Sequence, residues 1–208
     1  MSPRRYSTQK RQESFAGTRR AIVEAAKSLH AERGVLATSW QDIAERAAIS
    51  PVTVYRHFRS LTELIPACAQ SFVESVRPIT EDEALAAFAE LASASQRLER
   101  LVRDDCACYR RGRGWFHAAM RESDLIPELG LVVSSQQQTL RTLIRAALDD
   151  DAPEQLVSAL VAVIDFPFWY SLVEAGVPEE AAPNVVLTIC LDLLARYLCQ
   201  PSSVLGRS

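Results

Sequence analysis

Hydroxyl, phenol, imidazole and guanidinium side chains are concentrated in one stretch of the chain, from Thr38 to Leu64. Small, hydroxyl-bearing and aromatic residues occupy positions 50–55, and arginines follow at positions 56 and 59, with a histidine at position 57. Such side chains donate hydrogen bonds to base edges and phosphate oxygens, and small apolar ones contact the thymine methyl group. The composition of this stretch therefore predicts contacts to a nucleic acid.

Two short helices joined by a tight turn are predicted to position these side chains. Ser39 fits the N-cap of the first helix, with Asp42 at the N3 position of a capping box. Ser50 fits the N-cap of the second helix, which we expect to run to about Phe58, and Pro51 fits its first turn. This is the layout of a helix-turn-helix, whose second helix lies in the major groove of DNA.

The predicted DNA contacts lie at the start of both helices and along the second one. His57 has two open interpretations, donation to a phosphate or capping of the helix end, whereas Phe58 is expected in the core. The predicted contact residues are Ser39, Gln41, Ser50, Pro51, Val52, Thr53, Tyr55, Arg56, His57 and Arg59.

The remainder of the chain predicts an all-α fold, with a three-helix head and a larger helical domain for ligand binding and dimerisation. We divide it into a flexible basic arm (1–16), the helix-turn-helix domain (17–60) and the larger domain (61–208). A helix from Thr18 should end at Gly34, and Gly112 and Gly114 should break a later helix. The last two helices are expected at about 153–174 and 179–199.

Charge is divided unevenly between the two ends of the chain. Residues 1–60 contain eleven Lys/Arg and five Asp/Glu, whereas residues 61–208 contain twelve and 21, within a total net charge of −3. A basic head on an acidic body favours a polyanion as the partner of the head. Five cysteines without metal-finger spacing and a polar N-terminus favour a cytoplasmic protein without disulfides and without a secretory signal. The most apolar window, 156–173, contains Asp165 and Pro167, which disfavours a membrane segment.

The head resembles the N-terminal signature of the TetR family of bacterial regulators. The resemblance covers residues 18–64, and it depends on several residue types in one order and spacing. The residues that carry it are Gly34, Thr38–Ser39, Asp42–Ile43–Ala44, Ile49–Ser50, Thr53–Val54–Tyr55, His57–Phe58 and Glu63–Leu64. Two positions depart from the family pattern, because Ala48 replaces a common glycine in the turn and Leu61 replaces a common lysine.

The resemblance implies a homodimer formed through the last two helices, which binds a double-stranded DNA operator. It also implies one small-molecule effector site per subunit, inside the helical domain. Binding of the effector would move the helix Leu61–Val76 and spread the two heads of the dimer. The expected function is thus a ligand-responsive transcriptional regulator, and more specifically a repressor that its inducer releases from the operator.

Candidate ligand-binding residues occur in two aromatic clusters. In the segment 164–170 the pattern indicates either a pocket wall, with Asp165 orienting an aromatic or cationic ligand, or simple packing with Asp165 capping a helix restarted after Pro167. The candidates are Tyr109, Trp115, His117, Met120, Asp165, Phe168 and Trp169.

Three other functions are alternatives to the regulator. Cys106 and Cys108 would make it redox-responsive if either thiol were exposed with a lowered pKa. A helical adaptor without DNA binding would predict a neutral or acidic head. An enzyme is disfavoured, because the sequence has no glycine-rich phosphate loop, no nucleophile elbow and no metal-ligand set, and we expect no cofactor and no metal.

Overall fold

The computed structural model describes the backbone of residues 3–148 and 152–198, and the side chains of residues 11–148 and 152–198. Throughout these ranges the regular structure is helical, which confirms the predicted all-α class. The helices are α1 (Pro3–Arg33), α2 (Trp40–Arg46), α3 (Pro51–His57), α4 (Leu61–Val76), α5 (Glu81–Ala89), α6 (Ala94–Glu122), α7 (Pro127–Leu148), α8 (Glu154–Ile164), α9 (Phe166–Glu174) and α10 (Ala182–Leu198).

The helices form two compact units. Unit 1 contains Met1–Val76 and Gly112–Val133, and unit 2 contains Arg77–Arg111 and Ser134–Ser208. Helices α6 and α7 each contribute residues to both units. Compactness therefore groups α4 with the head, whereas the division of the chain at residue 60 stays a prediction about function.

The core of unit 1 forms where α1, α2, α3 and α4 bury their apolar faces. Ile22 and Ala26 of α1 are fully buried, as are Val54 of α3 and Leu64 and Ile65 of α4. Their spacing on α1 follows the helical period, so one stripe of the helix faces the interior. Each large aliphatic side chain buried in this way contributes about 1.5–3 kcal/mol to stability.

Helix α1 begins at Pro3, and the expectation that residues 1–16 lack a regular structure was wrong for residues 3–16. The segment has no apolar period, but between Pro3 and Gly17 it contains no residue that breaks a helix. Helix extension adds one hydrogen bond per ordered residue, so the packed part of α1 serves as the nucleus for the polar part. The side chains of Arg4, Arg5 and Lys10 lie outside the described residues.

Both predicted caps of the helix-turn-helix are confirmed. Ser39 accepts a hydrogen bond from the Asp42 amide at 3.1 Å, and the Asp42 carboxylate accepts one from the Ser39 amide at 2.8 Å. Ser50 accepts from the Thr53 amide at 3.2 Å, with Pro51 in the first turn of α3. In the turn between them, Ala48 has a φ of 54°, a left-handed conformation that glycine adopts at lower cost.

The prediction that Gly112 and Gly114 break a helix was wrong. Helix α6 continues through both glycines to Glu122. A Cβ at Gly112 would lie 2.4 Å from the Phe72 ring, and one at Gly114 would lie 2.6 Å from the Ala31 carbonyl oxygen. The two glycines thus allow α6 to approach α1 and α4 within unit 1. A glycine in sequence signals a helix end or a close contact equally well, and only the packing decides between them.

The kink predicted near Pro167 divides one apolar segment into α8 and α9. Asp165 stands at the break in an extended conformation, and Pro167 lies in the first turn of α9. No single helix of the described ranges is long and apolar enough to cross a bilayer; α8 and α9 meet that test only as a pair, bent by 44°.

The substitution Ala48→Gly is expected to stabilise the protein by about 1 kcal/mol, because it removes the cost of a left-handed alanine. The measurement is the free energy of unfolding in urea. A decrease in stability would contradict the described turn.

Gly114→Ala is expected to destabilise the protein by about 1–3 kcal/mol, because the added methyl group meets a backbone oxygen that cannot move away. Gly17→Ala is the matched control, since a Cβ at this exposed position of α1 meets nothing within 4 Å. That change should instead stabilise by about 1 kcal/mol through helix propensity. If both substitutions changed the free energy of unfolding in urea in the same direction, α6 would not approach α1 as described.

Candidate nucleic-acid interface and helical-domain site

Helix α3 has an inner face that is buried and an outer face that is exposed. Val54, His57 and Phe58 point inward, with exposed fractions of 0%, 6% and 0%. Val52 and Tyr55 are 77% and 49% exposed. A solvent-exposed valine on a helix of the protein surface has no packing role, so this face is suited to contact an apolar group such as a thymine methyl.

The polar residues of α3 are held in place by neighbours in the head. The Thr53 hydroxyl lies 2.9 Å from the Ser50 hydroxyl, so the two hydroxyl groups share a hydrogen bond at the start of the helix. The Tyr55 ring lies 5.4 Å from the Trp40 ring of α2. Its packed ring leaves about half of the side chain exposed, an arrangement that suits a tyrosine whose hydroxyl meets a polar partner.

The start of α2 presents two predicted contacts that already have partners within the head. The Ser39 hydroxyl and the Asp42 carboxylate complete the capping box, and hydrogen bonds from Ser39 hold the pKa of Asp42 below its usual range. Arg33 also pairs with Asp42 at 2.8 Å. The exposed Gln41 donates to Glu45 at 2.8 Å, a surface hydrogen bond that a nucleic acid can replace.

His57 faces the interior, in contrast to both interpretations of its sequence position. Its ring stacks on Phe15 at 4.1 Å, and burial, followed by the charges of Arg56 and Arg19, lowers its pKa. The end of α3 is capped by Arg19, whose Nη1 donates to the His57 carbonyl oxygen at 2.9 Å. We therefore do not include His57 among the proposed DNA contacts.

Arg19 follows the basic arm in the sequence, and its side chain packs within the head. Its guanidinium lies 3.9 Å from the centre of the Phe58 ring, in addition to its bond to the end of α3. The position of Arg19 one turn before Ile22, at the edge of the buried stripe of α1, was the available sequence signal.

The basic charge of the head divides into paired and unpaired side chains. Lys27 pairs with Glu24, and Arg46 pairs with Glu32, both at 2.8 Å. Within the part of the chain that the structure describes, the exposed guanidinium groups of Arg56 and Arg59 have no acidic partner. These two cations remain available for phosphate oxygens, next to the outer face of α3.

The predicted ligand-binding residues fall into two groups, one in each compact unit. In unit 1, Trp115 is buried and stacks on Phe72 at 5.5 Å, while His117 and Met120 are half-buried. In unit 2, Tyr109 lies 6.1 Å from Trp169, and both rings are buried. This division is not visible in the sequence, because a single helix, α6, supplies residues to both groups.

Asp165 caps α9, and it belongs to a buried polar cluster of unit 2. Its Oδ1 accepts a hydrogen bond from the Phe166 backbone amide at 2.8 Å, and its Oδ2 accepts one from the Gln137 side-chain amide at 2.9 Å. Phe168 is half-buried beside it. Asp105, which we had not singled out, joins this cluster and carries a carboxylate oxygen that is buried without a hydrogen-bond partner.

The thiols of Cys106 and Cys108 do not suit redox sensing. They are 2% and 4% exposed, and burial raises their pKa values to about 12 and about 11. Oxidants react with the thiolate, which such groups hardly form near neutral pH. The described residues also contain no group of three or more His, Cys, Asp or Glu side chains arranged to hold a metal ion.

Comparison with known proteins agrees with the geometry of the head. Residues 22–68 match the sequence pattern of the bacterial regulatory proteins of the tetR family. The chain is similar to the HTH-type transcriptional regulator BetI of Rhizobium meliloti (strain 1021), with 26% identity over 154 residues. The match covers 71% of this chain and 74% of that protein.

Solved structures show the same fold. A tetR-family transcriptional regulator from Streptomyces coelicolor superposes with a TM-score of 0.66 and 21% identity, covering 88% of this chain and 85% of that one. A TetR-like transcriptional regulator from Rhodococcus sp. RHA1 gives a TM-score of 0.65 and 23% identity, covering 86% and 96%. With its capped helix-turn-helix, the head matches the pattern of the tetR family of bacterial regulatory proteins over residues 22–68, and the chain shares the helical fold of solved regulators of that family.

Proposed function

We propose that this protein is a dimeric repressor that leaves its operator when a small molecule binds to its helical domain. The observation that carries the proposal is the outer face of α3, where Val52 is 77% exposed and Tyr55 is 49% exposed beside two unpaired arginines. An apolar and hydroxyl-bearing surface bordered by cations is complementary to base edges bordered by phosphates.

Each predicted contact except the buried His57 has a proposed role. Pro51, Val52 and Thr53 approach the base edges, because they lie in the first turn of α3. Tyr55, Arg56 and Arg59 bind phosphate oxygens, and Arg59 or Arg56 replaces the common lysine that is absent at Leu61. At the start of α2, Ser39 and Gln41 contact the backbone and an adjacent base, while Ser50 keeps its capping role.

Two copies are proposed to associate through the last two helical segments, α8–α9 and α10. Two heads of one dimer would then read half-sites about 34–36 Å apart, one helical turn of DNA. A modest change in the separation of the heads removes this match, so affinity depends on how each head is held.

Helix α4 is proposed as the lever that moves the head. Its residues Leu64 and Ile65 are fully buried, and its Ser71 hydroxyl bonds Glu24 and Lys27 of α1. Because α4 joins α1 through both an apolar and a polar contact, a displacement of α4 would move α1 with it. The effector site is proposed in unit 2, with the buried Tyr109, Asp165 and Trp169 and the half-buried Phe168 as its candidates.

The variant Thr53→Ala should weaken binding to a duplex that the wild-type protein selects from a random-sequence pool by about tenfold, the usual effect of one lost base contact. Thr139→Ala is the matched control, since this exposed threonine lies on α7 and its hydroxyl bonds only the Ser135 carbonyl. Affinities are measured by gel shift or fluorescence anisotropy. Equal affinities for wild type and Thr53→Ala would contradict the placement of α3 in the groove.

Arg56→Gln and Arg59→Gln should each reduce the slope of log affinity against log salt by about 0.9, the value expected for one lost phosphate contact. Arg46→Gln serves as control in the same head, because Arg46 pairs with Glu32 and should not contact phosphate. The measurement is a salt titration of anisotropy with the selected duplex. If the slope changed with Arg46→Gln and not with the other two variants, the assignment of the phosphate contacts would be wrong.

A further inference from the structure

Two carboxylates and two aromatic rings form a matched arrangement inside unit 2. Asp105 and Tyr109 are one helical turn apart on α6, and Asp165 and Trp169 are one turn apart at the start of α9. The Tyr109 ring lies 6.1 Å from Trp169 and 5.6 Å from Phe166, in an edge-to-face contact with the latter. The two helices thus meet through their rings, and each adds a carboxylate one turn away.

The two carboxylates differ in how the protein satisfies them. Both oxygens of Asp165 accept hydrogen bonds, one from the Phe166 amide and one from Gln137. The Oδ2 atom of Asp105 is buried and accepts none. The neighbouring Asp104 is different again, because it pairs with Arg100 at 2.6 Å.

Asp105 lacks a neutralising cation within the described ranges. Burial raises its pKa to about 7, and the charges of Asp104 and Asp165 add to the rise. No ion pair among the described residues includes Asp105. Burial without a cation disfavours the charged form of a carboxylate, so a bound cation of suitable size would stabilise the ionised form of Asp105.

A second unpaired polar atom lies on the ring side of the cluster. The Trp169 side chain is fully buried, and its Nε1 donor has no hydrogen-bond partner. A donor left unsatisfied in this way is destabilising, and native proteins rarely retain one without a reason. An unpaired donor and an unpaired acceptor in one aromatic cluster indicate a missing partner that satisfies both.

We propose that this cluster binds a small organic ammonium ion, with its charge against Asp105 and its alkyl groups against the rings of Tyr109 and Trp169. The inference rests on the proposed ligand-responsive function and names the class of its effector. Aromatic faces and a carboxylate both attract a positive charge, whereas an anion would be repelled and a neutral molecule would leave Asp105 unpaired. An acceptor oxygen on the same ion would satisfy Trp169 Nε1.

Access to the cluster is consistent with such a ligand. Asp105 is only half-buried as a residue, although its Oδ2 is covered, and Phe168 and Tyr170 are half-buried as well. A change in the rotamers of these side chains would admit an ion without unfolding of the helices, since side-chain rotations are fast and inexpensive compared with backbone changes.

The test is calorimetric titration of the full-length protein with three probes of similar size: benzyltrimethylammonium, benzyl alcohol and benzoate. The cation should bind and raise the melting temperature, whereas the alcohol and the anion should bind at least tenfold more weakly. Asp105→Asn should lower the affinity for the cation at least tenfold, because it keeps the shape of the side chain and removes its charge. Asp104→Asn, the matched control, should keep the wild-type affinity, since the charge it removes is already paired with Arg100.

The proposal is overturned if the wild-type protein does not bind benzyltrimethylammonium, if it binds benzyl alcohol equally well, or if Asp105→Asn binds the cation as tightly as wild type does. Circular dichroism of the variant separates a lost site from a lost fold. A second variant, Trp169→Phe, keeps an aromatic ring at this position and should also lower the affinity for the cation.

Operator binding by the same preparations separates this inference from the proposed function. If the cation binds with the expected selectivity but does not release the selected duplex, the cation-binding site is supported and the proposal that the cation is the effector is contradicted. If no duplex is bound at all, the repressor function fails, while the titration still decides whether the cation site exists.

Discussion

Burial of one face of α3 is the constraint on which the head depends. Val54, His57 and Phe58 occupy successive inward positions of the helical period, and Arg19 closes the end of the helix from α1. With that face fixed, the opposite positions must face outward, and these carry Val52, Tyr55, Arg56 and Arg59. The groups that would meet DNA are thus oriented by residues that never touch it, through packing that is cooperative with α1 and α4.

Helix α6 connects this head with the chemistry of the other unit. Near its end, Gly112 and Gly114 bring it against Phe72 and Ala31. In its middle, Asp105 and Tyr109 belong to the acidic and aromatic cluster of unit 2. One helix thus contributes residues to the packing of the head and to the acidic and aromatic cluster of unit 2.

Local signals could be predicted from the sequence, and tertiary ones could not. The caps at Ser39 and Ser50 each depend on residues within one helical turn, and both form as expected. Other features depend on partners far away in sequence and could not be predicted. These are the continuity of α6 through Gly112, the inward orientation of the His57 ring and the burial of the Asp105 carboxylate. In the candidate site, the helical period is enough to predict which side chains of α3 are exposed. Which arginines pair with acidic side chains can be seen only in the packed structure.

The central claim is that the outer face of α3 lies against base edges, and site-specific crosslinking tests it most directly. A benzophenone side chain at Val52 should crosslink to bases near the centre of one half-site of the selected duplex. The same group at the exposed Leu131 of α7 should give no crosslink. Crosslinks from position 52 to bases would support the account; strong protein–DNA binding without them, or crosslinks only from position 131, would contradict it.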